Sequence, residues 1–187
     1  MAIHQLGFPI SVVALVHTNP HVNAFFNRQR LRCGVGVIPL GVHATQRCLE
    51  LLRRGWLLGI AGDREFGSSG ISVSFCGRQA VLPQGPAILS LRTGAPVVPL
   101  FCIREAPWRL RFYVDAPIWP SVGAGSRRAA HEAVAQLTQR YAQVMERYIR
   151  QFPSQWLMFQ PFLDGPGKPS SQAPASIIAS HQRREGS

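Results

Sequence analysis

The sequence is poor in acidic residues, in lysine and in long apolar runs. Its 187 residues include 9 acidic and 20 basic side chains, which gives a formal net charge of +11 and an isoelectric point near 11.1. All the basic residues except Lys168 are arginine. A balance of this sign indicates an anionic partner, such as a phosphate, an anionic lipid, an acidic protein or nucleic acid. No run approaches the roughly 18 apolar residues of a membrane span, so no transmembrane helix is predicted.

Several motifs that carry chemistry are missing as well. The chain has no Walker A loop, no GxGxxG, no GxSxG elbow and no HExxH. Its four cysteines are widely spaced and form no CxxC or Cys/His cluster, so neither a disulfide framework nor a metal site is predicted. Buried free thiols in a reducing compartment are the expectation for these cysteines.

The histidines offer no visible catalytic pair. A histidine that acts as a general base needs a carboxylate to orient it, and none of the six has an acidic residue five positions further on. We therefore predict structural roles for them, at positions His4, His17, His21, His43, His131 and His181. Taken alone, the residues indicate an anion-binding surface without a catalytic base.

The apolar periodicity predicts strands that alternate with helices. Strands are predicted at 10–16, 35–38, 56–61, 71–76, 96–103 and 109–114, and helices at 20–32, 44–54, 86–94 and 126–151. This alternation is typical of an α/β fold with a mainly parallel central sheet flanked by helices. Residues 1–163 are predicted to form one domain. The Gly, Pro, Ser and Gln content of 164–187 predicts a disordered tail.

The stretch AGDREFGSSG supplies the first candidate site, because it follows a predicted strand. Ligands of open parallel sheets bind at the carboxyl ends of strands. Arg64 has bidentate donors for an anion, and Asp63 can orient it or accept a bond from a substrate hydroxyl. Glu65 belongs to the same charged group. The alternative is a solvated loop in which Asp63 caps backbone amides.

Two more arginines are candidates for binding an anionic substrate. Arg28 and Arg32 are four residues apart on the second predicted element and share a face, which we interpret as solvated. Arg30 points away from them, toward the predicted sheet, and is the better site candidate. Arg92 lies in an otherwise apolar helix, where it either extends its guanidinium to solvent or contributes to the site.

Four blocks of the sequence together resemble a known family. The strongest is LLRRGWLLGIAGDREFGSSGISVSFCGRQAVLPQGPAILSLRTGAPVVPLF, at 51–101. The others are NRQRLRCGVGVIP at 27–39, LTQRYAQVMERYIRQFPSQWLMF at 137–159, and LGFPISVVALVHTNP at 6–20. In combination they resemble the bacterial lipid acyltransferases of the lauroyl/myristoyl group, which include enzymes of lipid A synthesis, lysophospholipid acyltransferases and phosphatidylinositol mannoside acyltransferases.

The resemblance implies a glycerolipid acyltransferase-like α/β domain that lies peripherally on the cytoplasmic face of the bacterial inner membrane. It implies transfer of a fatty acyl chain from an acyl carrier protein or coenzyme A thioester to a hydroxyl of a membrane glycolipid, without a further cofactor. Arg30 and Asp63 match family positions on the substrate side. Arg64 stands where many members have glutamine, and Cys76 stands where a phenylalanine is common.

The family's catalytic His-x4-Asp/Glu motif is not in this chain. Because the motif normally precedes the segment that matches Met1–Gln5, the expectation is an N-terminally truncated domain that is inactive as given.

The expected partners are the acyl donor, the lipid acceptor and an anionic membrane surface. Nucleic acid is not expected as a partner, because the arginines are dispersed and no nucleic-acid-binding motif is present. The alternative hypothesis is a non-catalytic basic protein that binds anionic membrane surfaces or nucleic acid.

Overall fold

The computed structural model describes residues 6–64, 70–121 and 126–158. Over these residues the chain forms seven β-strands and four α-helices. The strands are β1 (Ile10–Ala14), β2 (Gly36–Pro39), β3 (Leu57–Gly59), β4 (Ile71–Phe75), β5 (Arg78–Leu82), β6 (Leu100–Ala106) and β7 (Arg109–Val114). The helices are α1 (Pro20–Arg32), α2 (Ala44–Arg53), α3 (Gly85–Thr93) and α4 (Arg127–Gln151), and a short 3₁₀ helix, Pro153–Gln155, follows α4. The tail predicted at 164–187 lies outside the described residues.

A three-stranded parallel sheet of order β2-β1-β3 positions the carboxyl ends of three strands at one edge. Ser11 pairs with Gly36 on one side of β1, and Val12 pairs with Gly59 on the other. Both glycines allow a close approach. A Cβ at Gly36 would lie 2.3 Å from the Ser11 Oγ, and one at Gly59 would lie 2.9 Å from a methyl carbon of Val12. The two glycines thus keep the strands in contact where larger side chains would push them apart.

The prediction of a mainly parallel sheet is correct for these three strands only. The other described strands form two antiparallel hairpins, β4–β5 and β6–β7. The strand predicted at 96–103 begins later, at Leu100, and only one of its faces is buried: Leu100 and Cys102 are exposed, whereas Ile103 is buried. The sequence does not predict β5, because Gly77-Arg78 is interpreted as the end of the preceding strand. In the structure Cys76 and Gly77 form the turn, and Arg78 is the first residue of β5.

Helix α3 joins two apolar cores. Its Ala87 packs with the β4–β5 hairpin and with α4, whereas its Leu89 packs with Ile38 of β2 and Leu51 of α2. The parallel sheet and the β4–β5 hairpin are therefore connected through one helix. This arrangement explains why the GPAILSLRT segment is apolar around most of its circumference.

Glutamine side chains form hydrogen bonds with backbone groups at the open edges of two strands. The Gln139 amide accepts a bond from the Ser74 N–H at 2.8 Å and donates to the Ser74 carbonyl at 2.9 Å. Gln155 binds the backbone of Arg104 in the same way, at 3.2 and 2.9 Å. Each amide replaces one residue of a neighbouring strand, which protects the edges of β4 and β6 from further pairing.

The β4–β5 turn contains an unusual backbone conformation. Cys76 and Gly77 have φ values of 51° and 76°, which together form a two-residue turn with positive φ at both central positions. The Cys76 N–H donates to the Glu146 carboxylate at 2.9 Å. This bond, together with the Arg150 guanidinium, lowers the pKa of Glu146. Helix α4 thus stabilises the turn through the Glu146 carboxylate.

Replacing Cys76 with asparagine is expected to stabilise the protein, because asparagine adopts positive φ more readily than cysteine and Asn-Gly is favoured in this turn. The expected gain is about 0.5–1 kcal/mol in the free energy of unfolding, as for other residue changes that suit the backbone. Urea denaturation monitored by circular dichroism measures it. Cys76→Val is the matched control and should destabilise, because β-branched residues disfavour positive φ. Equal stability of the two variants would contradict the account.

The four cysteines are free thiols, and only Cys48 is buried. Cys33 and Cys76 are half-buried, and Cys102 is exposed on the outer face of β6, so the expectation of buried thiols is wrong for three of the four. No α-helix in the described part of the chain is long and apolar enough to cross a bilayer.

Candidate functional site

An open cleft of about 410 Å³ lies at the carboxyl ends of β1 and β3. It occupies the position that ligands take in parallel sheets. Its floor is apolar and its polar side chains come from outside the sheet. The lining residues are Val12, Val13, Ala14, Leu15, His17, Arg30, Gly59, Ile60 and Ala61.

Arg30 brings positive charge to this cleft from helix α1. The helix begins with Asn19 as N-cap and Pro20 in the first turn. Arg30 is half-buried, whereas Arg28 and Arg32 are exposed, which confirms the predicted difference between the two faces. Arg30 Nη1 donates to Asn27 Oδ1 at 3.0 Å, and its guanidinium lies 5.9 Å from the Phe26 ring centroid.

These two contacts orient the Arg30 guanidinium and do not neutralise it. Asn27 and Phe26 carry no charge, and a guanidinium has five N–H donors, of which this bond uses one. The side chain can therefore bind a phosphate or carboxylate that enters the cleft.

His17 also lines the cleft, and sequence reasoning missed it. It follows β1, and its ring stacks on Phe26 with centroids 5.1 Å apart. Its backbone N–H donates to Asn23 Oδ1 at 3.3 Å. The signal that could have found it is its place just after a buried strand, which is the reasoning that selected Asp63. The predicted structural role of this histidine is compatible with the ring stacking.

Asp63 lies two residues beyond Ala61, the last residue of the β3 segment to line the cleft. It is half-buried, and its Oδ2 accepts a hydrogen bond at 3.3 Å from the indole Nε1–H of Trp156. The two residues are 93 positions apart in the chain. Trp156 in turn packs on Phe75, with ring centroids 5.9 Å apart. The segment that follows helix α4 therefore fixes the position of the Asp63 carboxylate.

The contacts of Gln155 and Trp156 explain the FPSQW segment. Gln155 binds the backbone of β6, as described above, and Trp156 reaches the turn after β3. Pro153 opens the 3₁₀ helix that contains Gln155, and Trp156 follows it as C-cap. One short segment thereby connects the β6–β7 hairpin with the turn that carries Asp63.

The other three predicted site residues are not among the described residues that line the cleft. Arg64 is exposed beside Asp63, and Glu65 lies outside the described residues. Arg92 is exposed in the last turn of α3 and does not line the cleft. Roles for these residues in substrate binding stay predictions. Within the described ranges, no group of three histidine, cysteine or acidic side chains is placed to hold a metal ion.

The Trp156–Asp63 bond is expected to stabilise the fold by about 1 kcal/mol, because the acceptor is a half-buried carboxylate. The test is a double-mutant cycle of Trp156→Phe and Asp63→Ala, read by chemical denaturation, with a coupling energy of that size expected. Trp119→Phe in place of Trp156→Phe is the control and should show no coupling, because Trp119 is exposed and makes no such bond. Additive effects of Trp156→Phe and Asp63→Ala would contradict the contact.

Comparisons with known proteins identify the family. The sequence profile described as bacterial lipid A biosynthesis acyltransferase matches residues 1–163. A phosphatidylinositol mannoside acyltransferase from Mycolicibacterium smegmatis is 31% identical over 103 residues, which are 54% of this chain and 30% of that protein. The protein of the same name from Mycobacterium tuberculosis H37Rv is 30% identical over 113 residues, 60% of this chain and 32% of that protein. The chain thus spans about a third of the length of these curated relatives. Because the family profile covers most of its length, the chain belongs to the bacterial lipid A biosynthesis acyltransferase family.

Proposed function

We propose that the cleft at the carboxyl ends of β1 and β3 binds the phosphorylated headgroup of a membrane glycolipid, the acceptor in an acyl-transfer reaction. The observation that carries the proposal is the half-buried Arg30, which forms no ion pair with an acidic residue of the described ranges, in an open cleft at the ligand-binding edge of the sheet. The two free oxygens of a phosphodiester can accept two parallel hydrogen bonds from one guanidinium.

The relatives suggest what the acceptor contains. They are named for phosphatidylinositol mannoside, a lipid with one phosphodiester and several sugar hydroxyls. In the proposed complex the phosphate binds Arg30, and the sugar hydroxyls extend toward Asp63 and Arg64. Asp63 can accept hydroxyl bonds on the oxygen that Trp156 does not use. Arg92 and Glu65 stay substrate-binding candidates from the sequence alone, since Arg92 does not line the cleft and Glu65 lies outside the described residues.

The donor in this proposal is an acyl thioester of acyl carrier protein or coenzyme A. The acceptor hydroxyl attacks the thioester carbonyl carbon while a base takes its proton. The carbon–sulfur bond then breaks, and the leaving thiolate takes that proton from the base to become the free thiol. Both donors are anionic, and the net charge of +11 favours their approach. The reaction would take place at the cytoplasmic face of the inner membrane.

We do not expect this chain to supply the base that takes the hydroxyl proton. No histidine of the sequence has a carboxylate five residues further on, and His17, the histidine in the cleft, is stacked on Phe26. We therefore expect the chain by itself to bind the acceptor lipid and to transfer no acyl group, since positioning without the base and its partner leaves little of the rate.

The test combines binding and turnover on the same preparation. Labelled phosphatidylinositol mannoside in detergent micelles is titrated with the chain, and palmitoyl thioesters of coenzyme A and of acyl carrier protein are then added. The expected result is saturable binding and no acylated product above the protein-free control. A mannosyl diacylglycerol that lacks the phosphate is the control ligand and should bind more weakly. Equal binding of both lipids would overturn the acceptor site, and acylated product would overturn the expected inactivity.

A further inference from the structure

We propose that the outer edge of strand β7 pairs with the same strand of a second copy of this chain, which joins two β6–β7 hairpins into one four-stranded antiparallel sheet. The pairing surface, called the β7 edge, consists of the backbone N–H and C=O groups of Leu110, Phe112 and Val114. The inference concerns a protein partner and not the acceptor cleft. It needs neither lipid nor acyl transfer, so its test is independent of the proposed function.

The hydrogen bonds of the hairpin show which backbone groups of β7 point away from β6. The Asp115 N–H donates to the Pro99 carbonyl at 3.0 Å, which marks a hydrogen-bonded position of the antiparallel ladder. Such positions alternate with positions at which the backbone groups of both strands point away from each other. By this alternation three residues of β7 direct their N–H and C=O groups to its outer side: Leu110, Phe112 and Val114.

The Gln155 amide supports this assignment from the other strand. It binds the N–H and the C=O of Arg104, so these two groups face away from β7. Because Arg104 lies opposite Leu110 in the ladder, the backbone groups of Leu110 also face outward, on the opposite side of the hairpin. One edge of the hairpin is therefore closed by an amide. For the other edge, the described part of the chain supplies no hydrogen-bonding partner, and such an edge is a template for a further strand.

The outer edges of the other described strands are less suited to pairing. Strands β2 and β3 contain four and three residues, and β2 ends at Pro39, which has no N–H to donate. In β5, Ala80 and Leu82 are 0% exposed, so the rest of the fold already covers that strand. Strand β7 contains six residues, and all of them except Tyr113 are exposed. It is thus the longest accessible edge among the described strands.

The arginines of β7 restrict the register of the pair. In an antiparallel pair of identical strands, a twofold axis passes through one residue, which lies opposite its own copy. An axis at Leu110 or at Arg111 places arginine directly opposite arginine, and like charges in that position are destabilising. An axis at Tyr113 pairs only the last three residues of β7. An axis at Phe112 pairs residues 110–114 and places no arginine opposite another.

The side chains are self-complementary about Phe112. Leu110 lies opposite the partner's Val114, and Phe112 lies opposite the partner's Phe112, so exposed apolar side chains pack in pairs. On the other face, Arg111 lies opposite the partner's Tyr113. Beyond the strand, Arg109 lies opposite the partner's Asp115, a residue of opposite charge. The outward backbone groups also match, because Leu110, Phe112 and Val114 oppose residues of the same outward-pointing set.

Sedimentation equilibrium measures the association. A single pair of strands buries less than the roughly 800 Å² per partner of a standard interface, so we expect a dissociation constant in the micromolar range. The mass should rise with concentration from 20.6 kDa toward twice that value. Phe112→Pro removes one N–H from the β7 edge and no bond to β6, so it should keep the chain monomeric. Phe112→Thr is the matched control, because it also removes the ring but retains the N–H. It should raise the dissociation constant less than about tenfold.

Engineered disulfides test the register without a proline in the strand. In a Cys102→Ser background, which removes the exposed native thiol of the hairpin, Phe112→Cys should form a covalent dimer on oxidation. The opposed Cα atoms of a hydrogen-bonded pair lie about 5.5 Å apart, within the range of a disulfide. Leu110→Cys should form none, because it lies opposite Val114. Leu110→Cys combined with Val114→Cys should form the dimer again.

A mass that stays at that of the monomer at the highest concentration measured would overturn the proposal. Equal loss of the dimer in Phe112→Pro and Phe112→Thr would overturn it as well, because the apolar face and not the backbone edge would then hold the copies together. A dimer that persists in Phe112→Pro would place the contact on another surface. Equal cross-linking of Phe112→Cys and Leu110→Cys would contradict the register.

Discussion

Replacing Arg30 with alanine is expected to weaken binding of dihexanoyl-phosphatidylinositol, a soluble anionic lipid, by about tenfold to a hundredfold. A hydrogen bond between two charged groups contributes about 1.5–3 kcal/mol, and the half-buried position of Arg30 limits screening by water. Isothermal titration calorimetry below the lipid's critical micelle concentration measures the dissociation constant. Arg30→Lys should recover only part of the loss, because an ammonium cannot bind two oxygens in one plane.

Arg28→Ala is the matched control for this prediction. It removes the same charge from the same helix, but from an exposed residue on the other face of α1. We expect an effect of about twofold, since an exposed charge acts only through the screened field. Equal losses of affinity for Arg28→Ala and Arg30→Ala would contradict the assignment. Binding of the lipid would then depend on the total charge of helix α1 and not on the position of Arg30 in the cleft.

Replacing Phe75 with alanine is expected to lower the free energy of unfolding by about 3–5 kcal/mol, a large part of the stability of a small domain. Phe75 ends β4, is 0% exposed, and packs against Trp156, which binds Asp63. The substitution leaves a cavity where three elements meet. Phe112→Ala, at an exposed position in β7, should cost less than about 1 kcal/mol.

Urea denaturation of both variants tests this expectation, and the tryptophan emission, to which Trp156 contributes as one of four indoles, provides a second readout. In Phe75→Ala the indole loses its packing partner, so the tryptophan emission of the folded protein should shift to longer wavelength. Comparable stabilities for the two phenylalanine variants would show that the core does not depend on this contact.

The helices were predictable because their signals are local. Asn19-Pro20 marks the start of α1, and the structure places the helix at the predicted bounds, Pro20–Arg32. The predicted helix at 126–151 corresponds to Arg127–Gln151, with Ser126 as N-cap. Each of these features depends on residues within a few positions of one another. Periodicity and capping therefore suffice to define them.

The hairpins were harder to predict because strand pairing depends on distant residues and on turn geometry. Cys76-Gly77 is not among the usual residue pairs of a two-residue turn, so the sequence offered no signal that β5 returns along β4. The strand at Leu100 was expected to join the parallel sheet, but it pairs with β7, its immediate neighbour in the chain. An apolar run alone does not show which partner a strand takes.

The same distinction applies to the candidate site. The orientation of Arg30 toward the sheet follows from helical spacing, and the structure confirms it. The bond between Trp156 and Asp63 joins residues 93 positions apart, and no pattern in either segment points to the other. His17 lacks a carboxylate partner in the sequence, so a structural role is predicted for it. It nevertheless follows a predicted strand, which is the feature that makes Asp63 a site candidate.

The most direct test of the central claim is a nuclear magnetic resonance titration of the ¹⁵N-labelled chain with dihexanoyl-phosphatidylinositol. If the cleft binds the lipid headgroup, the largest changes in amide shift should occur at the ends of β1 and β3, around His17, Gly59 and Ala61, together with the Arg30 side chain. Changes centred on the β6–β7 hairpin or on Arg92, with the cleft resonances unmoved, would contradict it.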